Sequence, residues 1–225
     1  MSFIDDQVLL FSTFSENVQQ DIVKRALKSY QSSDMEYIQR IINTDITRQI
    51  MVDLGMAVAI DGMINDYDKI ISGISKKILS KVPPGTIEML KDLDSQFFFN
   101  HVRDVGEKLK RVLIHSSMGG MSEAQLRIQL LDATKTLSRA QIGSLTNTAL
   151  RTMSRATFAA GASQLPEDTK YTYVGAIDSK NRPECAQVLH DPQNVIGYTI
   201  EEIGSLPVGF VDGGGFNCRQ SCQLA

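Results

Sequence analysis

The chain has 225 residues, of which 42% are hydrophobic and 22% charged, as in an ordinary folded protein that can bury a core. A formal net charge of −3 argues against binding nucleic acid mainly by neutralising phosphates. Three cysteines, all late in the chain, do not make the disulfide framework of a small secreted domain. No apolar run approaches the roughly 18 to 20 residues of a membrane span, and Asp5 and Asp6 stand where a signal peptide would carry cations. We therefore expect a protein that folds in a reducing cytosol, without a membrane segment.

The first 82 residues predict helices. Apolar side chains recur at helical spacing over residues 2–32, and Ser15 is a plausible helix start because its hydroxyl could accept a first-turn amide. A second helical block is predicted from about Met35 to Tyr67, and the pattern continues to Val82. The sequence Pro83-Pro84-Gly85 ends it, because proline donates no amide hydrogen bond.

Helices are also predicted over the next 80 residues. Thr86 begins a long one that ends near His115, and Ser122 with Gln125 has the spacing of a capping box for the next. A last helix runs from about Ser138 to Ala162. The consecutive residues Phe97, Phe98 and Phe99 cannot all face one core, so these helices are candidates for self-association.

The amino-acid composition changes at Pro166. Residues 166–225 hold four Lys and Arg against eight Asp and Glu, a net charge of −4, and consist of short apolar runs between Gly, Pro and Asp. Strands are predicted at Tyr171–Val174 and at Val195–Tyr198, a short helix at Arg182–His190, a helical turn at Thr199–Glu202 and an extended piece at Leu206–Val211.

The predicted fold class is α+β, a mostly helical N-terminal body followed by a small irregular α+β module. We divide the chain into a helical body (1–118), a helical connection (119–165) and the module (166–225), which contains Cys185 and Cys218.

An ordered series of motifs in the second half carries a family resemblance. The series is Gly120–Glu123, a helix with Thr146, Leu150 and Arg155, the strand Tyr171-Thr-Tyr173, then Asp178, Arg182 and Cys185, and finally Asn217-Cys218-Arg219. It resembles the C-terminal domain of the phage Mu protein F-like minor head proteins, a family of phage head-morphogenesis proteins. The resemblance covers about residues 119–220 and nothing before them. Its family-motif residues are Tyr171, Tyr173, Asp178, Arg182, Cys185, Asn217, Cys218 and Arg219.

The resemblance implies a non-enzymatic virion protein, present in few copies in the head of a tailed phage. It would contact the portal protein, with scaffold or major capsid protein as further candidate partners. Its role would lie in head assembly, DNA packaging or genome ejection, first in the host cytoplasm and then in the virion head. An enzyme is the competing class, because modules of this type are also joined to toxin domains. The N-terminal half shows no catalytic constellation, and we assign no catalytic or cofactor-binding residue.

The chain departs from the family pattern at two positions. Many members carry a CxxC pair after the aspartate and a histidine three residues before the final cysteine. Here Arg182 replaces the first of these cysteines and Gly215 replaces the histidine. These replacements put in doubt the metal or disulfide role suspected for such clusters.

Zinc remains an alternative from the residues themselves. Cys185 with His190, and Cys218 with Cys222, supply a two-plus-two set of ligand types for a tetrahedral zinc-binding interaction module. Neither spacing is the tight CxxC of a zinc knuckle. We favour the interpretation that Cys185 and Cys218 are small buried hydrophobic residues that could lie side by side.

A basic stripe precedes the module. Arg151 and Arg155 lie one helical turn apart and share a face, near Lys135 and Arg139. One interpretation is a contact with DNA, which the net charge does not indicate, or with an acidic partner. The other is a solvated face or pairing with the acidic module.

Overall fold

The structure is a computed structural model that describes residues 3–179, 181–211, 213–214 and 218–225. In these residues twelve α-helices and one pair of strands follow the chain. The helices are α1 (Phe3–Ser29), α2 (Met35–Asn43), α3 (Ile46–Arg48), α4 (Met56–Asn65), α5 (Tyr67–Ile71), α6 (Lys76–Leu79), α7 (Thr86–Met118), α8 (Glu123–Ala133), α9 (Arg139–Ala162), α10 (Pro183–His190), α11 (Gln193–Ile196) and α12 (Ile200–Gly204). The strands are β1 (Tyr171–Val174) and β2 (Ser221–Leu224). The predicted fold class is confirmed: the chain is mostly helical, with a small α+β module at its C-terminus. No helix of the described residues is long and apolar enough to cross a membrane.

Local capping starts several helices where the sequence indicates. Ser122 and Gln125 form the predicted capping box of α8, each side chain bonding the other's backbone amide. Thr199 and Glu202 form a second capping box, so the predicted helical turn after Thr199 is confirmed as α12. The carboxylate of Asp34 accepts hydrogen bonds from the amides of Glu36 and Tyr37 at the start of α2.

The helical block predicted from about Met35 to Tyr67 consists of several separate helical segments. It is broken after α2, where Asp45 caps α3 by accepting from the amide of Arg48 at 2.9 Å. A π-helical segment (Gln49–Asp53) follows, and Gly55 at φ +75° then redirects the chain into α4. Apolar periodicity did not reveal these breaks, because it continues across them.

The described chain forms two compact units. The terminal unit comprises Met1–Asp5, Asp66–Asp92 and Ser144–Ala225, and the central unit comprises Asp6–Asn65 and Leu93–Gly143. Each unit is assembled from separated segments, whereas the sequence-based segments 1–118, 119–165 and 166–225 are continuous. That sequence-based division stays a prediction.

The core of the central unit includes an aromatic pair and a buried hydrogen bond. Phe11 and Phe98 pack edge to face with ring centroids 5.5 Å apart, while Phe97 and Phe99 are more than two-fifths exposed, so the three phenylalanines do not share one core. Ser15 lies inside α1 and donates to the carbonyl of Leu137 at 2.9 Å. Its prediction as a helix start was wrong, because α1 begins twelve residues earlier.

The core of the terminal unit is built on β1, as predicted at Tyr171–Val174. This strand pairs antiparallel with β2, in a register that places Tyr171 opposite Leu224 and Tyr173 opposite Cys222. Strand β2 was not predicted from the sequence. The rings of Phe158, Tyr171 and Phe210 pack against one another with centroids 5.6 to 5.8 Å apart.

The strand predicted at Val195–Tyr198 was wrong for most of its length. Val195 and Ile196 belong to helix α11, and of the predicted strand only Tyr198 makes a β-bridge, to Tyr171. The piece from Leu206 to Val211 forms no strand and makes a single bridge, from Gly209 to Gly213. The predicted helix at Arg182–His190 is confirmed as α10, with Pro183 in its first turn.

Candidate functional site

Both family-motif tyrosines anchor β1 through their hydroxyls. Tyr171 donates to the carbonyl of Ala162 at 3.2 Å, and Tyr173 donates to the carbonyl of Val208 at 2.6 Å. Both rings are buried, and burial raises the pKa of each phenol. These tyrosines therefore act as neutral donors that tie the strand to α9 and to the segment before Gly209.

On the edge of β1 that does not pair with β2, two different groups form hydrogen bonds with the backbone. Tyr171 exchanges two backbone hydrogen bonds with Tyr198, each 2.8 Å long. Two residues further on, the side-chain amide of Asn194 replaces a backbone partner: it accepts from the Tyr173 amide at 2.7 Å and donates to the Tyr173 carbonyl at 3.0 Å. Asn194 thus extends the sheet with a side chain.

Asp178 and Arg219, two more motif residues, form a bidentate ion pair. The Arg219 guanidinium donates to both carboxylate oxygens of Asp178 at 2.8 and 2.5 Å, and also to the side-chain oxygen of Asn181 at 3.1 Å. The two partners are 41 residues apart in sequence, so the pair fastens the end of the chain to the turn after β1.

Arg182, another motif residue, connects two segments of the terminal unit. It is the residue before helix α10, and its guanidinium donates to the carbonyl of Gly214 at 2.5 Å. A charged hydrogen bond therefore joins the start of α10 to the Gly213-Gly214 turn.

Cys185 and Cys218 are buried side by side around that turn. A Cβ atom on Gly214 would overlap the Cys185 sulfur and lie 3.9 Å from the Cys218 sulfur, and a Cβ on Gly213 would lie 2.8 Å from the Cys218 sulfur. Gly213 also has φ +58°, which favours glycine. All three cysteines of the chain are free thiols. The interpretation of Cys185 and Cys218 as small buried residues in contact agrees with this arrangement.

The two thiols have opposite pKa shifts. Burial acts to raise the pKa of Cys218, but backbone amides of Gln220 and Gly214, the Arg155 charge and the Cys185 thiol together lower it. Burial raises the pKa of Cys185, as do the neighbouring Cys218 and the hydrogen bond that the Cys185 thiol donates to it. Cys218 is therefore the sulfur that this environment favours as an anion.

The charge beside Cys218 comes from Arg155, whose side chain is only 4% exposed. Its Nη1 lies against Gly213 and donates to the Gln220 carbonyl at 3.5 Å, while its Nε has no hydrogen-bond partner. Within the described part of the chain, no carboxylate forms an ion pair with Arg155. A pocket of about 210 Å³ is lined by Arg155, Cys222 and Phe210, among others.

The basic stripe predicted on α9 does not form one exposed face. Arg151 is bonded to Asn147 at 2.8 Å and to Asp5 at 3.4 Å, and Arg155 is inside the terminal unit. Periodicity placed the two arginines on one face of a helix but could not show that this face is largely covered.

The four candidate metal ligands are not gathered at one point. Cys185 and Cys218 are together, whereas His190 is exposed at the end of α10. The Cys222 thiol contacts the Tyr173 hydroxyl, and burial raises its pKa to about 12. Among the described residues, no three His, Cys, Asp or Glu side chains converge as a metal site would require. Of these four candidates, Cys185 and Cys218 would offer zinc two adjacent thiol ligands.

Sequence reasoning missed three residues of this arrangement, and one predicted residue is not among those that the structure describes. Asn194 had no signal beyond its place between two turns, and Gln220 had none beyond its proximity to Cys218. Arg155 was noted as a basic residue, not as a buried one. Asn217 of the motif, like Gly215 and Phe216, lies outside the described residues.

Comparison with protein-family models, curated proteins and solved structures finds no match to the chain. The site is therefore characterised by its geometry: motif residues that are distant in sequence hold one strand, one turn and the chain end together around two buried thiols.

Proposed function

We propose that the chain is a minor head protein of a tailed phage, incorporated into the head through contact with the portal. Its role is structural, in head assembly, DNA packaging or genome ejection. It acts first in the host cytoplasm and then in the virion head, with scaffold or major capsid protein as further candidate partners.

One observation carries this proposal: the described residues behind the family resemblance are the ones that hold the module together. Asp178 bonds Arg219, Arg182 bonds Gly214, and Cys185 lies beside Cys218. Residues that share one framework in space support the motif series as a single unit rather than chance matches of short motifs. A module held by such cross-links presents a fixed surface, which suits docking.

The electrostatics favour a structural role over nucleophilic catalysis. The cation beside Cys218 is the Arg155 guanidinium, which has N–H donors and no acceptor atom and so cannot take the thiol proton as a general base. His190, the histidine nearest to Cys218 in sequence, is exposed at the end of α10. The described residues around Cys218 named here supply a stabilised sulfur but no proton acceptor for acyl transfer.

Helix α11 offers an apolar surface for the partner. Val195 is 86% exposed and Ile196 is 63% exposed, side by side in the terminal unit. Exposed aliphatic neighbours on a module that is otherwise acidic mark a candidate protein contact. We assign the portal contact to these two residues.

The test begins with heads purified from the phage that encodes the chain. Mass spectrometry is expected to detect the chain in them, and the purified protein is expected to co-sediment with portal assemblies. The double variant Val195→Asp, Ile196→Asp should weaken portal binding by about tenfold or more, since burying each aliphatic side chain contributes about 1.5 kcal/mol or more. Val58→Asp is the matched control, because Val58 is 76% exposed in the central unit. A chain that is missing from heads and does not bind portal would refute the proposal.

Metal analysis of the same preparation separates the competing zinc module. About one equivalent of zinc, lost in Cys218→Ser, would favour the zinc interpretation. Gene order provides an independent observation: genes for a large terminase and a portal immediately upstream would support the head-protein assignment.

A further inference from the structure

The Gly213-Gly214 turn brings three reactive groups together in the terminal unit. A Cβ on Gly213 would overlap the Arg155 Nη1 and the Cys218 sulfur, and a Cβ on Gly214 would overlap the Cys185 sulfur and lie 3.9 Å from the Cys218 sulfur. Because Gly213 and Gly214 carry no side chains, the Arg155 guanidinium and the Cys185 thiol can both approach Cys218. Conformation alone would explain a glycine at Gly213, where φ is +58°, but not at Gly214.

Arg155 needs an anion at this place. A guanidinium that is 96% removed from solvent is costly unless it is paired, and its contacts with Gln220 and Thr152 are long, 3.5 Å each. The Cys218 sulfur, which lies with the Arg155 Nη1 around the Cβ position of Gly213, can supply this negative charge. The lowered pKa of Cys218 supports this pairing.

We propose that Cys218 and Cys185 form a peroxide-reactive dithiol pair, in which Cys218 attacks, Cys185 resolves, and Arg155 stabilises the attacking thiolate. The oxidant class is a hydroperoxide, the simplest being hydrogen peroxide. It is small enough to reach the sulfur of Cys218, a residue that is 7% exposed. This inference is independent of the proposed head function.

The reaction balances in two steps. The Cys218 thiolate attacks one peroxide oxygen, so that an S–O bond forms, the O–O bond breaks, and the leaving hydroxide takes a proton to become water. Cys185 then loses its proton and attacks the Cys218 sulfenic sulfur, so that the S–S bond forms and the S–O bond breaks, releasing a second water. Two thiols are oxidised to one disulfide while the peroxide is reduced to two waters.

Cys222 provides the matched control within the same unit. Cys222 lies on β2, where its thiol contacts the hydroxyl of Tyr173. Burial raises the pKa of the Cys222 thiol to about 12, so it is a poor nucleophile at neutral pH. Loss of Cys222 should leave the reaction unchanged, whereas loss of either member of the pair should change its product.

The experiment treats the reduced full-length chain with hydrogen peroxide and maps its cysteines by mass spectrometry. Cleavage after Glu201 and Glu202 separates Cys185 from Cys218, so the disulfide is seen as two linked peptides. Wild type and Cys222→Ser should both give this product, reversible by a thiol reductant. Cys185→Ser should stop at a Cys218 sulfenic acid that dimedone traps, and Cys218→Ser should leave Cys185 unoxidised.

A second measurement tests the role of Arg155. In the double variant Cys185→Ser, Cys222→Ser, the rate of iodoacetamide alkylation of Cys218 should follow a pH profile whose midpoint lies below that of a free cysteine, about 8.5. Arg155→Met should move the midpoint upward, with about a tenfold loss of thiolate per pH unit well below it, and Arg155→Lys should restore part of the shift. The urea-unfolded double variant gives the reference profile.

The proposal is overturned if the linked product disappears in Cys222→Ser, or if peroxide oxidises Cys185 equally well in Cys218→Ser. It is also overturned if the alkylation midpoint of the folded chain is no lower than that of the unfolded chain. This last comparison needs no substitution at Arg155, so it holds even if the Arg155 variants do not fold.

Discussion

The side chain of Asn194 bonds the backbone of Tyr173 in both directions, as a neighbouring strand would. The two bonds, 2.7 and 3.0 Å long, follow the backbone pair between Tyr171 and Tyr198 on the same strand. An amide group matches this pattern because it has one acceptor and a donor at the spacing of a peptide unit. At this position of β1, the hydrogen bonds that a third strand would make therefore come from a single side chain.

Replacing Asn194 should be costly. Asn194→Ala leaves the buried amide and carbonyl of Tyr173 without partners, and each such group costs about 1 to 3 kcal/mol, so we expect a loss of about 2 to 6 kcal/mol in the free energy of unfolding. The measurement is urea denaturation. Gln193→Ala is the control, since Gln193 makes one side-chain donor bond, to the Gly197 carbonyl at 3.0 Å, and is only partly buried. Equal losses in both variants would contradict the structural role of Asn194.

The ion pair of Asp178 and Arg219 should depend on guanidinium geometry. Arg219→Lys keeps the charge but cannot donate to both carboxylate oxygens, so we expect a loss of up to about 1 kcal/mol for this partly exposed pair. The loss should shrink in about 1 M salt, where the Debye length falls to about 3 Å.

Arg25→Lys is the comparison for this pair. Arg25 contacts Asp21 through one nitrogen at 2.7 Å on exposed α1, and the substitution should cost less. A loss at Arg219 that is no larger than at Arg25 would show that the bidentate geometry adds nothing to stability.

Two helical glycines should respond oppositely to alanine. A Cβ on Gly161 of α9 would overlap the backbone carbonyl of Ile78, which cannot move cheaply, so Gly161→Ala should destabilise the protein by about 1 to 3 kcal/mol. Gly62 of α4 has no heavy atom within 4 Å of its Cβ position, so Gly62→Ala should stabilise the protein by about 0.5 to 1 kcal/mol. Thermal unfolding of both variants checks the difference in sign.

His101 should make stability depend on pH. Burial lowers the pKa of His101 even though its Nε2 lies 3.4 Å from the Thr136 carbonyl, so the folded state resists protonation. The unfolded chain binds the proton more readily, and stability should therefore fall as pH drops below the ordinary histidine pKa of about 6.5. The slope from one group cannot exceed about 1.4 kcal/mol per pH unit.

His101→Gln should remove this part of the pH dependence. The free energy of unfolding, measured by denaturant titration from about pH 5 to 7.5, should differ from wild type most at the acidic end of that range. His115→Gln, at an exposed position on the same helix α7, is the control. If the two variants give the same pH dependence, burial of His101 is not its cause.

Elements that depend on neighbouring residues were predicted well from the sequence. The capping box at Ser122, the helical turn after Thr199 and the helix with Pro183 in its first turn were all confirmed. Hydrogen bonds or backbone constraints within a few residues decide such elements, and those are visible in a short window of sequence. The fold class followed from the same local patterns.

Elements that depend on distant partners were not predicted. Strand β2 exists because β1, fifty residues earlier in the sequence, offers its edge, and Val195 and Ile196 form a helical turn although their apolar pattern favours a strand. Propensity for strands is weak evidence when the pairing partner is unknown.

The chemistry of the candidate site divides in the same way. The sequence supplied the cysteines, the arginines and their order, which is enough for a family resemblance. Which cysteine lies against Arg155, and that Arg155 is buried at all, depends on a turn at Gly213 that meets helix α9 58 residues after Arg155. Ionisation of a thiol is decided by charges and amides within a few ångströms, and contacts of that range between distant segments exist only once the chain has folded.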